Sequence, residues 1–186
     1  MKIAENVWKV NVDSNIYFID EDEKIIIDAG PKTHREDVIS ELSKFVDVNK
    51  IDKVIFTHLH YDHMGNFDLF PNARFFASEQ EIKDFEENAL GATVGLDPLL
   101  LSKFKKIKLE PLEDMNGLKI IPTPGHTKGS ICLYYEKEKV LFTGDTKFEN
   151  GMGRIDLPTS SPEEMQNSLN KIEEIDYVVL APGHDY

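Results

Sequence analysis

Cys132 is the only cysteine in the 186-residue chain. One thiol cannot close an internal disulfide, so no cross-linked framework supports the fold, and its isolation fits a reducing, cytoplasmic setting. No run approaches the roughly 18 apolar residues of a membrane span, which points away from a membrane partner. The start, Met1-Lys2-Ile3-Ala4-Glu5-Asn6, has no apolar stretch followed by a small-residue cleavage site, so secretion is not signalled. Positive charge is also scarce: 21 Lys and Arg stand against 34 Asp and Glu, for a formal net charge of −13. Phosphate backbones need a positive footprint, so nucleic acid is not the expected partner. The local exception is Lys103-Phe104-Lys105-Lys106-Ile107-Lys108, either the solvated face of a helix end or edge strand, or a patch that draws in an anionic substrate. Repeats, low-complexity tracts and Pro/Gly/Ser linkers are missing too, which implies one domain over 1–186.

What is present describes a folded chain, 40% hydrophobic and 30% charged. Short apolar strands are expected at Val7–Val12, Asn15–Ile19 and Lys24–Ile27, the last running into the turn Asp28-Ala29-Gly30. Val38, Ile39, Leu42, Phe45 and Val46 are spaced as one face of a helix over Thr33–Val46, with Thr33 as N-cap and Glu36 completing a capping box. A buried strand, Lys53–Phe56, follows, then a strand at Ala73–Ala77 and a helix at Ser78–Glu87. The segment 88–104 carries Leu96, Leu99, Leu100, Leu101 and Phe104 between helix breakers; it reads as a packed helical connection, a lid or a dimer contact. Further strands are expected at Leu118–Ile121, Ser130–Tyr135, Lys139–Phe142 and Tyr177–Leu180. A helix over Pro162–Ile172 is expected to start on Ser161. Two halves of strand-then-helix character imply an α/β chain in which two sheets pack face to face with helices outside, an αββα sandwich.

Five of the six histidines fall in three short motifs: His58-Leu59-His60-Tyr61-Asp62-His63, Gly125-His126 and Gly183-His184, with Gly144-Asp145 between the last two. Imidazole and carboxylate are ligands for zinc, iron and manganese. Residues two apart on an extended segment share a side, so His58 and His60 suit one ion, while Asp62 and His63 point elsewhere as the chain turns. Counting valences gives His58, His60 and His126 to one ion, Asp62, His63 and His184 to a second, and Asp145 as a bridge. Each ion then keeps room for a shared water, whose pKa falls from 15.7 to about 7, so hydroxide is the expected nucleophile and no serine or cysteine is needed. Asp62 and Asp145 are the expected catalytic carboxylates. His34, alone at a helix start, is expected to be solvated, and Cys132 to be packing.

His58-x-His60-x-Asp62-His63, Thr123-Pro124-Gly125-His126-Thr127-x-Gly129-Ser130 and Phe142-Thr143-Gly144-Asp145-Thr146 resemble the metallo-β-lactamase superfamily across essentially the whole chain. The resemblance implies an αββα sandwich with metals at one edge and assigns Asp28, of Asp28-Ala29-Gly30, to support the histidines from behind. Aspartate at 145, where antibiotic-degrading members carry cysteine, points away from β-lactam hydrolysis. Gly151-Met152-Gly153-Arg154-Ile155-Asp156 and Gly183-His184-Asp185-Tyr186 are most similar to glyoxalase II and persulfide dioxygenase, which implies substrate contacts by Arg154 and Tyr186. The C-terminal helical extension that completes the glutathione site of full-length glyoxalase II has no counterpart here, so a small thioester or another acyl compound is an equal candidate substrate.

The expected function is thus a metal-dependent thioester hydrolase, a monomer or homodimer holding two divalent ions per chain, zinc first, with iron and manganese as the other candidates. The alternatives are a mono-iron persulfide dioxygenase using His58, His126 and Asp145, and a lactone hydrolase.

Overall fold

The computed structural model of the chain describes residues 1–115 and 117–185. Strands β1 (Lys2–Ala4), β2 (Val7–Asn11), β3 (Asn15–Asp20) and β4 (Lys24–Ile27) run antiparallel as a meander. Beyond the helix α1 (Arg35–Leu42), β5 (Lys53–Ile55) pairs parallel with β4. A short helix, α2 (Tyr61–Met64), leads to β6 (Arg74–Ala77). Helices α3 (Glu79–Glu87), α4 (Ala89–Ala92) and α5 (Pro98–Phe104) then precede β7 (Leu109–Pro111), and β6 and β7 continue the parallel pairing. Among the described residues this makes a seven-stranded sheet in sequence order.

The remaining strands, β8 (Leu118–Pro122), β9 (Ile131–Tyr135), β10 (Val140–Gly144) and β11 (Val179–Pro182), form a second sheet in the order β11-β10-β9-β8. The helix α6 (Pro162–Glu173) is the crossover that lets β11 lie parallel to β10.

Side-chain parity explains the layering. Tyr17, Ile19, Ile25 and Ile27 meet Leu133, Tyr135, Val140 and Phe142 in one core between the sheets. The alternate residues Ile16, Phe18, Ile26 and Val54 face the other way and pack with Val38, Leu42, Phe85 and Phe104 under the helices. Cys132 and Leu141 turn to the outer face of the second sheet and bury Ile172 of α6. Strands buried on both faces read as near-continuous apolar runs, as Lys24–Ile27 does. The result is the αββα sandwich, and no helix among the described residues is long and apolar enough to cross a membrane.

Local expectations met and missed are instructive. Ser78 caps α3, its hydroxyl accepting from the Glu81 N–H at 3.2 Å. Thr33 does not cap α1: it sits inside a single 3-10 turn at Lys32–His34, and α1 begins at Arg35 with no side-chain cap. Lys32 and Arg35 both reach the Asp68 carboxylate, at 2.7 and 2.5 Å, so the helix entry is joined to a distant segment rather than to a local cap. The same helix stops at Leu42, short of Val46, because Phe45 turns back to stack near Trp8 and Phe18. Ser161 occupies the N-cap of α6 but gives its hydroxyl to the Glu164 carboxylate rather than to the backbone. The last strand starts two residues later than Tyr177, leaving Val178 exposed. Strands β1 and β7, three residues each, were too short to show an alternation.

Candidate metal centre

Parallel pairing of β4 with β5 and of β10 with β11 brings the carboxyl ends of all four to one edge of the sandwich. Asp28 follows β4, the His58 motif follows β5, Asp145 follows β10, and His184 follows β11; His126 leaves β8 towards the same edge. Two glycines allow the convergence. A Cβ on Gly183 would lie 2.2 Å from Asp145 Oδ1 and 2.8 Å from His63 Cε1. One on Gly153 would lie 2.2 Å from the Asp145 carbonyl oxygen and 2.8 Å from His126 Nδ1. Any side chain at either position would displace Asp145.

The six candidate ligands of the three motifs and Asp145 all come together. One ligand atom each from His58, His60 and His126 lies within 4.8 Å of the others, and the same holds for Asp62, His63 and His184. A third such group, His58, His63 and Asp145, joins the two. Asp145 stands between them, Oδ1 at 3.2 Å from His63 Nε2 and Oδ2 at 3.5 Å from His126 Nε2 and 3.7 Å from His184 Nε2. Asp62 Oδ2 lies 3.3 Å from His184 Nε2.

Hydrogen bonds behind the site aim the rings. His126 Nδ1 faces the Arg154 carbonyl at 2.7 Å and His184 Nδ1 the Asp13 carbonyl at 3.0 Å. A carbonyl only accepts, so both Nδ1 atoms carry a proton and Nε2 is the atom each ring turns inward. Asp28, held at φ 57° where few residues other than glycine settle, accepts from the Thr57 N–H and hydroxyl, both at 2.8 Å, and from His63 Nδ1 at 2.9 Å. Thr57 Oγ1 in turn accepts from His58 Nδ1 at 3.1 Å. One carboxylate thereby orients two of the five rings.

Charge is divided unevenly over the site. Burial, reinforced by neighbouring imidazoles, pushes His60 down to about 3 and His58 well below the usual histidine range. Burial likewise lowers His126. His63 feels the same burial, but Asp145, Asp28 and Asp62 outweigh it and hold its pKa well above the ordinary value. His184 is raised too, burial being overcome by its bond to Asp62 and by Asp145. Asp62 and Asp145 lose to burial less than they gain from the imidazoles around them, and both stay below the usual carboxylate range.

The donor set fits divalent ions. His58 Nε2 and His60 Nε2 are buried with no hydrogen-bond partner, an arrangement that costs free energy unless something electrophilic takes the lone pair. Five imidazoles and two carboxylates are nitrogen and oxygen ligands of the kind zinc, iron and manganese accept.

Glu81 is the residue that sequence reasoning missed. Its side chain is buried, and its carboxylate accepts from the Leu59 N–H at 2.8 Å and from the Thr127 hydroxyl at 2.5 Å. It therefore ties the loop between His58 and His60 to the loop after His126, and burial lifts its pKa to about 7. The pattern Ser78-x-x-Glu81 gave no pointer, because it is that of a capping box, which explains a glutamate there without any distant partner. His34 is solvated as expected, with 41% of its side chain exposed beside Asp37. The Cys132 thiol is buried between Thr123 and Leu141, pushed up to about 12, and serves as packing.

A crevice of about 560 Å³ opens over the site, walled by Tyr61, Asp62, Phe148, Met152 and Arg154. The Arg154 guanidinium is exposed and holds Asp156 through two bonds of 2.9 and 3.0 Å. Tyr186 lies outside the described residues.

Comparison with known proteins agrees with this geometry. The family model described as the metallo-beta-lactamase superfamily matches residues 11–184. A probable metallo-hydrolase of Methanocaldococcus jannaschii is 35% identical over 185 residues, covering 92% of this chain and 87% of its own. A hydroxyacylglutathione hydrolase of Dictyostelium discoideum is 32% identical over 186 residues, covering 95% of this chain but only 64% of its own. Among solved structures, a metallo-beta-lactamase family protein of Thermus thermophilus superimposes with a TM-score of 0.74 at 20% identity, over 97% of this chain and 74% of that one. A protein solved in a di-iron-bound form gives 0.73 at 21% identity, over 97% and 93%.

Proposed function

The chain belongs to the metallo-beta-lactamase superfamily, and from that premise we propose that it is a metal-dependent hydrolase that cleaves thioesters, holding two divalent ions, zinc first, through the seven residues above. The observation that carries this is the pair of three-residue clusters, His58/His60/His126 and Asp62/His63/His184, set on either side of Asp145 at the floor of one crevice. Two complete clusters support a two-ion centre over the one-iron arrangement of a persulfide dioxygenase. The likeness to hydroxyacylglutathione hydrolases supports a thioester as the bond broken. This chain spans about two thirds or less of those relatives, so their thiol carrier does not transfer with the bond type.

Two divalent ions supply an acidified water, its pKa lowered from 15.7 to about 7, and a Lewis acid for a carbonyl oxygen. The chain supplies the rest. The carbonyl-bonded Nδ1 atoms of His126 and His184 fix those tautomers with Nε2 inward. Asp28, through Thr57 and His63, does the same for the rings nearest the sheet. Asp145 is the shared carboxylate, and Asp62, with 19% of its side chain open to the crevice, is placed to accept a proton from water. Water oxygen bonds to the carbonyl carbon, the C–S bond breaks, and sulfur departs with the electron pair. A thiol pKa near about 8.5 makes that thiolate stable enough to leave without a dedicated acid. Arg154, exposed on the crevice wall, is the expected contact for an anionic thiol carrier.

The test pairs metal content with turnover of S-lactoylglutathione in air and without oxygen. About two ions per chain and oxygen-independent release of thiol are expected. One iron per chain with oxygen uptake on glutathione persulfide would replace hydrolysis by oxidation.

A further inference from the structure

Beside the metal crevice lies a second cavity, about 500 Å³, whose floor and walls are Val94, Leu96, Leu99 and Leu100 with the stems of Lys32 and Lys103. It shares a wall with the metal crevice: Tyr61 and Val94 line both. Two of the large apolar side chains left exposed, Tyr61 at 44% and Leu99 at 69%, line this one cavity. Clustered exposure of that kind marks a surface built to be covered.

The dividing wall is held rather than loose. Val94 sits at φ 52°, a conformation that a β-branched residue adopts only under constraint. The Thr93 carbonyl before it accepts from the Tyr61 N–H at 3.1 Å, and the Thr93 hydroxyl donates to the Ala89 carbonyl at 2.7 Å. The wall is thereby tied to α2, the helix that carries Asp62 and His63. Two of the polar side chains of the groove are engaged: Asp97 accepts from the Leu99 and Leu100 N–H groups at 3.0 and 3.1 Å, and Lys32 is paired with Asp68. Thr33, Tyr61 and Lys103 add polar atoms to a lining that is mainly hydrocarbon, the lysine stems included.

We propose that this groove holds the aliphatic acyl chain of the substrate, so that a thioester lies across the Tyr61–Val94 wall with its carbonyl over the metal centre and its acyl tail among Val94, Leu96, Leu99 and Leu100. The assignment rests on the thioester hydrolysis proposed above. It makes the enzyme selective for medium-length apolar acyl groups over lactoyl, which is too short to cover the apolar lining.

The experiment is a series of straight-chain acyl thioesters of one thiol, from two to twelve carbons, with metal-loaded wild type and Leu99→Glu. A fully buried methylene contributes about a fourfold preference, so in an open groove kcat/KM should rise about twofold per methylene before levelling off. In Leu99→Glu the ratio of long-chain to short-chain kcat/KM should collapse, and a decanoate product should bind more weakly than to wild type. Leu99 is exposed on α5, so the variant is expected to fold. Hydrolysis with a flat chain-length profile overturns the acyl assignment alone. Hydrolysis at no length overturns the thioester reading and the acyl assignment with it. A dimer in light scattering that Leu99→Glu dissociates would give the groove to a second copy of the chain, and overturn the assignment as well.

Discussion

The two halves of the metal centre are built from similar side chains and prepared in opposite ways. His58, His60 and His126 are all-imidazole and buried, and burial lowers the pKa of all three, reinforced at His58 and His60 by neighbouring imidazoles, with His60 down to about 3. Asp62, His63 and His184 are surrounded by carboxylates, which hold the two histidines in favour of a proton against the pull of burial. The difference teaches that equal geometry does not mean equal readiness. The first cluster offers neutral rings to an ion, with His58 Nε2 and His60 Nε2 unpartnered and His126 Nε2 facing His60 Nδ1 at 2.9 Å. The second must give up protons first, because ligand atoms bind a cation only when deprotonated.

The largest test of that contrast removes what the halves share. Asp145→Ala should take metal from both clusters, since its oxygens lie within 3.7 Å of rings in each. Residues that merely support ligands cost about 10–100-fold when lost, so hydrolysis here should fall by more than about 100-fold. Elemental analysis and turnover together check it; a variant that keeps two ions would show the bridge to be unnecessary.

Acid should then separate the halves. For zinc binding followed calorimetrically between pH 8 and pH 5.5, the Asp62/His63/His184 site should weaken first, as protons return to rings whose pKa lies above 6.5. The His58/His60/His126 site should hold its ion further down. In metal-free protein the linkage runs the same way. Raised His63 and His184 add stability that is complete below about 6.5 and lost as pH rises through their folded values. Depressed His60 adds stability present above about 6.5 and lost as pH falls towards about 3. Simultaneous loss of both ions on acidification would erase the distinction.

Glu81 touches only the first half, through Leu59 and Thr127. Glu81→Ala leaves the buried Leu59 N–H unmatched, a cost of about 1–3 kcal/mol in stability, while the Thr127 hydroxyl keeps Ser130 Oγ at 2.7 Å. It should weaken the first ion by about 10-fold or more with less effect on the second. Glu81→Gln should recover most of the loss, because an amide oxygen still accepts from Leu59 N–H. The raised pKa of about 7 means that Glu81 favours folding most below about 4.5, an advantage lost as pH rises through about 7. Thermal melts of the three proteins against pH measure this.

The smallest change is expected from Arg154→Ala. It is the Arg154 carbonyl, not its guanidinium, that meets His126, so metal content should not move. The melting temperature should not move measurably, since the pair with Asp156 is exposed. KM for a thioester of an anionic thiol should rise several-fold; a fall in metal content would mean that the side chain, too, supports the centre.

Much of this was legible in the chain. The seven clustered residues announced themselves by type and spacing, and Gly144-Asp145 and Gly183-His184 by their place after apolar strands. The αββα layering followed from the order of strands and helices. Helix entry was less legible: Thr33-x-x-Glu36 has the form of a cap, yet α1 begins at Arg35 without one, and the contacts at its entry go to Asp68, more than thirty residues on. Glu81 was hidden for the same reason, as a local motif that serves a distant contact.

Sequence by itself determined the ligand types, their spacing and the strands that end beside them, because these depend on chemistry and on periods of two and 3.6 residues. Tertiary structure alone decided which residues share a cluster, which histidines carry protons, and that an apolar groove adjoins the metal crevice. Each of those depends on burial and on separations of a few ångströms between segments far apart in the chain, and Coulomb and desolvation energies change steeply over just that range.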